Sequence, residues 1–193
     1  MNSPDSVLDH FSESGALLEG HFSLSSGLHS SMYLQCALAL QKPADAERYG
    51  RMIANELALK GMAGFETVAS PAIGGLVIGF AVAQATGARF IWTERQNGEM
   101  ILRRGFTLRK GERILVVEDV ITTGGSTREC IAALEENGGE ITAAASIIDR
   151  SNGAADVGVP RIALVSMDVQ SYAAADCPMC ARGETITKPG SRK

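Results

Sequence analysis

Aromatic residues are scarce, at 5% of 193 positions with a single Trp, so a core must be built from Ala, Val, Ile and Leu. A basic surplus is also missing: Lys+Arg is 18 against 22 Asp+Glu, a net charge of −4, which argues against a nucleic-acid binder. Four cysteines, Cys36, Cys130, Cys177 and Cys180, are too few for a disulfide framework and point to a reduced, cytoplasmic protein. The N-terminus has no basic residue before an apolar run, so no secretory signal is expected there. The one long uncharged stretch, residues 67–88, is interrupted by Pro71, Gly74-Gly75 and Gln84, which excludes a bilayer span and suits a buried turn and helix. Neither G-x-x-x-x-G-K-[ST] nor G-x-G-x-x-G occurs, which removes P-loop and dinucleotide sites.

What is present alternates between strand and helix patterns. Ala46, Tyr49, Ile53 and Leu57 recur at helical spacing, with Pro43 before them and Gly61 after, predicting a helix over 44–60. Strands are expected at 65–69, 88–93, 113–118, 141–149 and 161–167, and a helix at 127–137. The run Ile114-Leu115-Val116-Val117 is apolar without alternation, as a parallel strand covered on both faces requires. The fold class is therefore α/β, with a mostly parallel central sheet flanked by helices. One domain is expected over 1–170, with a small N-terminal hood at about 15–40 and a core at about 41–170. Residues 171–193 form a polar C-terminal appendage carrying a C-x-x-C.

The chemistry concentrates in one stretch. After the apolar strand come Glu118 and Asp119, then Val120, Ile121, Thr122, Thr123, Gly124, Gly125, Ser126 and Thr127, then a helix. In open α/β sheets, ligands bind beyond the carboxyl ends of the strands. Small turn residues let backbone N–H groups close on a phosphate, and the helix offers its positive end. Carboxylates would repel that phosphate, but they can hold sugar hydroxyls or face Mg²⁺ through water. Together these features describe a site for a phosphorylated sugar.

This stretch resembles the phosphoribosyl-diphosphate (PRPP) motif of the type I phosphoribosyltransferases. The resemblance implies that Glu118 and Asp119 hold ribose hydroxyls and that Thr122–Ser126 wrap the 5-phosphate. Three further segments are similar to the orotate phosphoribosyltransferase family. One is Gly20-His21-Phe22-Ser23-Leu24-Ser25-Ser26-Gly27-Leu28-His29-Ser30-Ser31-Met32-Tyr33, like that family's hood. Another is Ser70-Pro71-Ala72-Ile73-Gly74-Gly75, at the place of its diphosphate loop. The third is Asp149-Arg150, where the family uses an Arg on orotate. The implied enzyme is a pentosyltransferase of de novo pyrimidine biosynthesis. It takes PRPP and orotate, with Thr122 and Arg150 on the orotate side. Mg²⁺ is the cofactor, carried by PRPP and not bound directly by protein ligands. A homodimer with no nucleic-acid or membrane partner is expected.

The chain departs from the family pattern in three places. Ser25 and Gly74 stand where lysines are usual. The catalytic-loop segment, residues 94–106, keeps Arg95 but lacks the usual lysines and His. Arg103 and Arg104 are expected to supply that charge, beside Asp119 and Arg95 as catalytic residues; the alternative is a weaker or altered catalyst. Residues 94–106 have loop composition, and a solvated hairpin face is the bland reading of the two arginines. Cys177-Pro178-Met179-Cys180 lacks a second C-x-x-C, so a turn with reduced thiols is expected, with a metal completed by a His or another chain as the alternative. Transfer to a different base, or a PRPP-sensing regulator without turnover, are the rival functions.

Overall fold

The computed structural model describes residues 4–24 and 27–189. Helix α1 (Pro4–Glu13) is followed by β1 (Leu17–Ser23), β2 (His29–Leu34), α2 (Cys36–Ala39) and α3 (Pro43–Leu59). Next come β3 (Thr67–Pro71), α4 (Leu76–Thr86), β4 (Arg89–Gln96), β5 (Glu99–Leu102), β6 (Glu112–Ile121) and α5 (Gly125–Glu136). The chain closes with β7 (Gly139–Asp149), β8 (Arg161–Ser166), β9 (Ser171–Tyr172), a 3₁₀ turn at Ala174–Asp176 and α6 (Pro178–Ala181). Ser25 and Ser26 of the hood segment lie outside the described residues.

The main sheet has six strands in the order β5-β4-β3-β6-β7-β8, parallel except for the antiparallel β4–β5 edge. Ile114, Leu115, Val116 and Val117 of β6 are all fully buried, as their unbroken apolar run predicts. Side chains alternate across a strand, so Leu115 and Val117 join the core beneath α1–α4, while Ile114 and Val116 join the core beneath α5. On the first face, α3 buries Ala46, Tyr49, Ile53 and Leu57, the positions with helical spacing.

A second, three-stranded sheet has the order β1-β2-β9. It is the hood, and residues beyond 170 contribute to it: β9 pairs with β2, and Thr187 bridges to Phe22. The C-terminal segment is thus docked on the hood through its backbone.

Several boundaries differ from the sequence reading for identifiable reasons. β6 continues past the two acids to Ile121, because Val120 and Ile121 keep pairing with Ile148 and Asp149 of β7. β3 runs from Thr67 to Pro71, in register with both neighbours. The segment given loop composition is in its first half a hairpin: Asn97-Gly98 connect β4 to β5, with Glu94 opposite Ile101 and Arg95 opposite Met100. Where a turn is expected at Cys177–Cys180, residues Pro178–Ala181 form the short helix α6.

Candidate active site

Strand order places the site. From β3 the chain steps through β4 to β5, then crosses back to β6 on the opposite side of β3. The crevice beyond the carboxyl ends of β3 and β6 is therefore the topological switch point, where open α/β sheets bind ligands. The β3–α4 turn and the β6–α5 turn both open there. The β3–α4 turn lies against the end of β6: a Cβ on Gly74 would lie 3.0 Å from Asp119 Oδ1.

The β6–α5 turn forms a cavity of about 110 Å³ lined by Glu118 and residues 120–127. That is well below the size of a drug-like pocket and suits a single anionic group. Thr122, Thr123 and Ser126 are exposed toward solvent. Gly124 has φ +75°, and a Cβ there would meet Val157 Cγ1 at 2.8 Å, so any side chain here is strained and must displace Val157. Arg128 locks the turn from outside, donating to Thr123 O at 2.9 Å and Asp156 O at 2.6 Å.

Strand alternation separates the two acids. Glu118 lines the cavity on the α5 side; Asp119 does not, and its carboxylate meets the Cys36 thiol at the start of α2. Burial, reinforced by the Asp119 charge, pushes the Glu118 carboxyl up to about 9, and Glu118 Oε2 is buried without a hydrogen-bond partner. Burial also raises Asp119, against the lowering effect of the Val120 N–H donated to Oδ1 at 2.9 Å and of the Cys36 thiol. Two desolvated carboxyls beside a phosphate-sized cavity are groups in want of donors.

Arg150 follows β7, and its backbone N–H donates to Ile121 O at 2.8 Å, tying it to the end of β6. Its side chain is buried, at 8% exposure, beneath the hood. Nη2 donates to Ser30 Oγ at 3.2 Å and lies 3.5 Å from Met32 O, while Nε has no partner. Burial lowers its pKa, and among the described residues no carboxylate faces it. The neighbouring Asp149 serves the fold: it accepts from Arg161, Ser151 and Gly153, which together outweigh its burial and hold it below the usual carboxylate range.

The three remaining arginines occupy ion pairs outside the cavity. Arg104 grips Glu94 through Nε at 2.6 Å and Nη2 at 3.0 Å, and Arg103 approaches the same carboxylate at 3.5 Å. The Arg104 pair, then the Trp92 N–H, hold Glu94 down at about 2. Arg95 pairs with Glu129 of α5, the helix whose first turn closes the cavity, and donates to Gly98 O at 2.8 Å.

The family model described as the phosphoribosyl transferase domain matches residues 53–170. An orotate phosphoribosyltransferase of Pelotomaculum thermopropionicum is 49% identical over 190 residues, covering 98% of both chains. Another, of Heliobacterium modesticaldum, is 50% identical, covering 98% of this chain and 99% of the other. The chain belongs to the orotate phosphoribosyltransferase family. Among solved structures, the orotate phosphoribosyltransferase of Aeropyrum pernix superposes with a TM-score of 0.66 at 27% identity, covering 83% of this chain and 93% of that one. The fold class and the resemblance read from the sequence both stand.

Sequence reasoning missed Cys36, whose thiol faces Asp119 across more than 80 residues of chain. It also missed the role of Ser30 as the partner of Arg150. Glu94 and Glu129, which occupy the hairpin arginines, carried no signal beyond their charge.

Proposed function

We propose that the chain transfers ribose 5-phosphate from PRPP to orotate, giving orotidine 5′-monophosphate and diphosphate. The observation that carries this reading is Arg150: a buried guanidinium with no carboxylate, beside the PRPP-type turn and under the hood. A planar fork of this kind calls for a planar anion, and orotate brings a carboxylate.

In the reaction, the bond from the anomeric carbon to diphosphate breaks and its electron pair leaves with the diphosphate. A ring nitrogen of orotate forms the new bond and gives up its proton. The backbone N–H groups of residues 122–126 and the start of α5 hold the 5-phosphate. Glu118 and Asp119 accept from the ribose hydroxyls, Glu118 from the cavity side and Asp119 from the Gly74 side. Arg150, with Ser30, aims orotate, and Thr122 borders it. Arg103, Arg104 and Arg95 answer the charge that develops on the departing diphosphate.

The residues present fit Mg²⁺ carried by PRPP: Glu118 Oε2 and the Asp119 carboxylate are oxygen acceptors suited to metal-bound water as well as hydroxyls. When bound, the ion neutralises diphosphate charge. A homodimer is supported by apolar surface beside the site: Val77 and Phe80 of α4 are 47% and 59% exposed. Among the described residues no helix is long and apolar enough to cross a membrane, and the four cysteines are unpaired, which supports a cytoplasmic location.

Arg150→Ala is expected to raise the KM for orotate far more than that for PRPP. Losing a charge-assisted pair costs roughly 1.5–3 kcal/mol, about ten- to a hundredfold. Steady-state kinetics with each substrate varied checks this, and equal effects on both substrates would defeat the assignment.

A further inference from the structure

Two of the three histidines and two of the four cysteines meet at one point, on the hood and away from the PRPP-type turn. His21 comes from β1 and His29 from β2, while Cys177 caps the start of α6 and Cys180 lies within it. Their four donor atoms lie within 4.8 Å of one another. We propose that His21, His29, Cys177 and Cys180 form a structural zinc site that locks the C-terminal segment to the hood.

Four of the six donor–donor edges lie close to those of a tetrahedral centre. Zn–N bonds of 2.0–2.1 Å and Zn–S bonds of 2.3 Å give N···N edges of about 3.3 Å, N···S edges of about 3.6 Å and S···S edges of about 3.8 Å. The structure has His21 Nε2 to His29 Nδ1 at 3.0 Å and Cys180 Sγ to His29 Nδ1 at 3.3 Å. Cys177 Sγ and Cys180 Sγ stand 3.6 Å and 3.7 Å from His21 Nε2. The C-x-x-C spacing is that of zinc knuckles, and the second pair of ligands comes from paired strands.

The surrounding groups set the chemistry. His21 Nδ1 lies 3.0 Å from Glu184 O. A carbonyl only accepts, so the ring proton sits on Nδ1 and the Nε2 lone pair points into the cluster. This second contact orients ligating histidines at zinc sites. One lone pair then faces a second imidazole nitrogen and two thiols, an arrangement that a cation uses in full.

A metal also accounts for how this segment is held. Among residues 171–189 only Cys177 and Met179 are buried. Its backbone is held by two residue pairs between β2 and β9, and by Ser23 N to Thr187 O and Thr187 N to His21 O at 2.9 and 2.8 Å. So little apolar burial is characteristic of segments that a metal staples. All four ligands are protein groups, which makes the site closed and structural, and exposed Cys180 gives the ion its entry. His29 immediately precedes Ser30, so the clamp also steadies the hydroxyl that meets Arg150.

The test uses the full chain without an affinity tag, since a His tag binds metal. Elemental analysis is expected to find about one zinc per chain, and Cys180→Ser and the Cys177→Ser/Cys180→Ser pair are expected to lose it while keeping the wild-type circular dichroism spectrum. Cobalt added to the metal-stripped protein should give the intense visible bands of tetrahedral, thiolate-bound Co²⁺, absent from the double variant. The proposal is overturned if the wild type holds no zinc and gives no such bands, or if zinc persists in the double variant. A Cys177–Cys180 disulfide in the protein as purified, before any metal is removed, would also overturn it.

Discussion

The β6–α5 turn and the β4–β5 hairpin both bear groups assigned to the same substrate, but they are held in opposite ways. The turn is fixed by its backbone: a left-handed Gly124 against Val157, an Arg128 clamp, and a strand that continues through the acids. Its two acids are desolvated and Glu118 Oε2 has no partner, while Thr122, Thr123 and Ser126 stay exposed. The hairpin's arginines are 40–59% exposed and already satisfied by Glu94 and Glu129. The first region is organised before the substrate arrives, and its buried acids weaken the free protein. On the proposed reading, the second exchanges carboxylate partners for diphosphate, and its contribution then falls on the step in which charge develops.

The largest effect is expected from Asp119→Asn. An amide offers a donor where the ribose needs an acceptor, and kcat/KM should fall about a hundredfold, with circular dichroism unchanged. A variant that binds and turns over PRPP like the parent would break the contrast at its stronger end.

The Arg103→Ala/Arg104→Ala pair should lower kcat about tenfold, with a modest change in the KM for PRPP. Exposed ion pairs contribute little to stability, so the melting temperature should hold. Lysines at both positions should restore part of the rate, because charge matters more than the fork for a mobile diphosphate. Full kcat in the alanine pair would leave these residues as a solvated face and make Arg95 the remaining cation.

The smallest effect concerns stability. Glu118 sits at about 9 in the folded protein against an ordinary 4.5. A raised carboxyl contributes its stability below pH 4.5 and loses it as pH rises toward 9, because the unfolded chain ionises first. Glu118→Gln should therefore match the wild type at pH 4.5 and melt higher at pH 8, by at least about 2 °C, while losing activity. Thermal melts of both proteins across that range check the sign; a gap that shrinks with pH would contradict the desolvation account.

The turn was legible because its signal is contiguous: an apolar run, two acids, small hydroxyl residues and paired glycines follow one another from Ile114 to Thr127. Two boundaries were misplaced: the strand's end, since nothing in Val120-Ile121 tells where pairing with β7 stops, and the helix start, which lies at Gly125 rather than Thr127. The hairpin was harder. Asn97-Gly98 is a turn signal, but charges at 94, 95, 99, 103 and 104 hid the alternation around it. Contacts across long stretches of chain left no local trace. Cys36 against Asp119, Ser30 against Arg150, and two histidines against a C-x-x-C some 150 residues later all depend on how the hood folds back. Arg150 itself was found by its place after a strand, but its burial and its missing partner belong to the tertiary structure.

The central claim is that the cradle and the buried Arg150 together make a site for PRPP and orotate. The most direct measurement is a spectrophotometric assay of base consumption with PRPP and Mg²⁺, run with orotate beside uracil, adenine, guanine and xanthine, with diphosphate followed in parallel. The account predicts that orotate disappears with one diphosphate released for each molecule consumed, and that the other bases stay essentially unused. Faster use of another base, or PRPP binding without release of diphosphate, would contradict it.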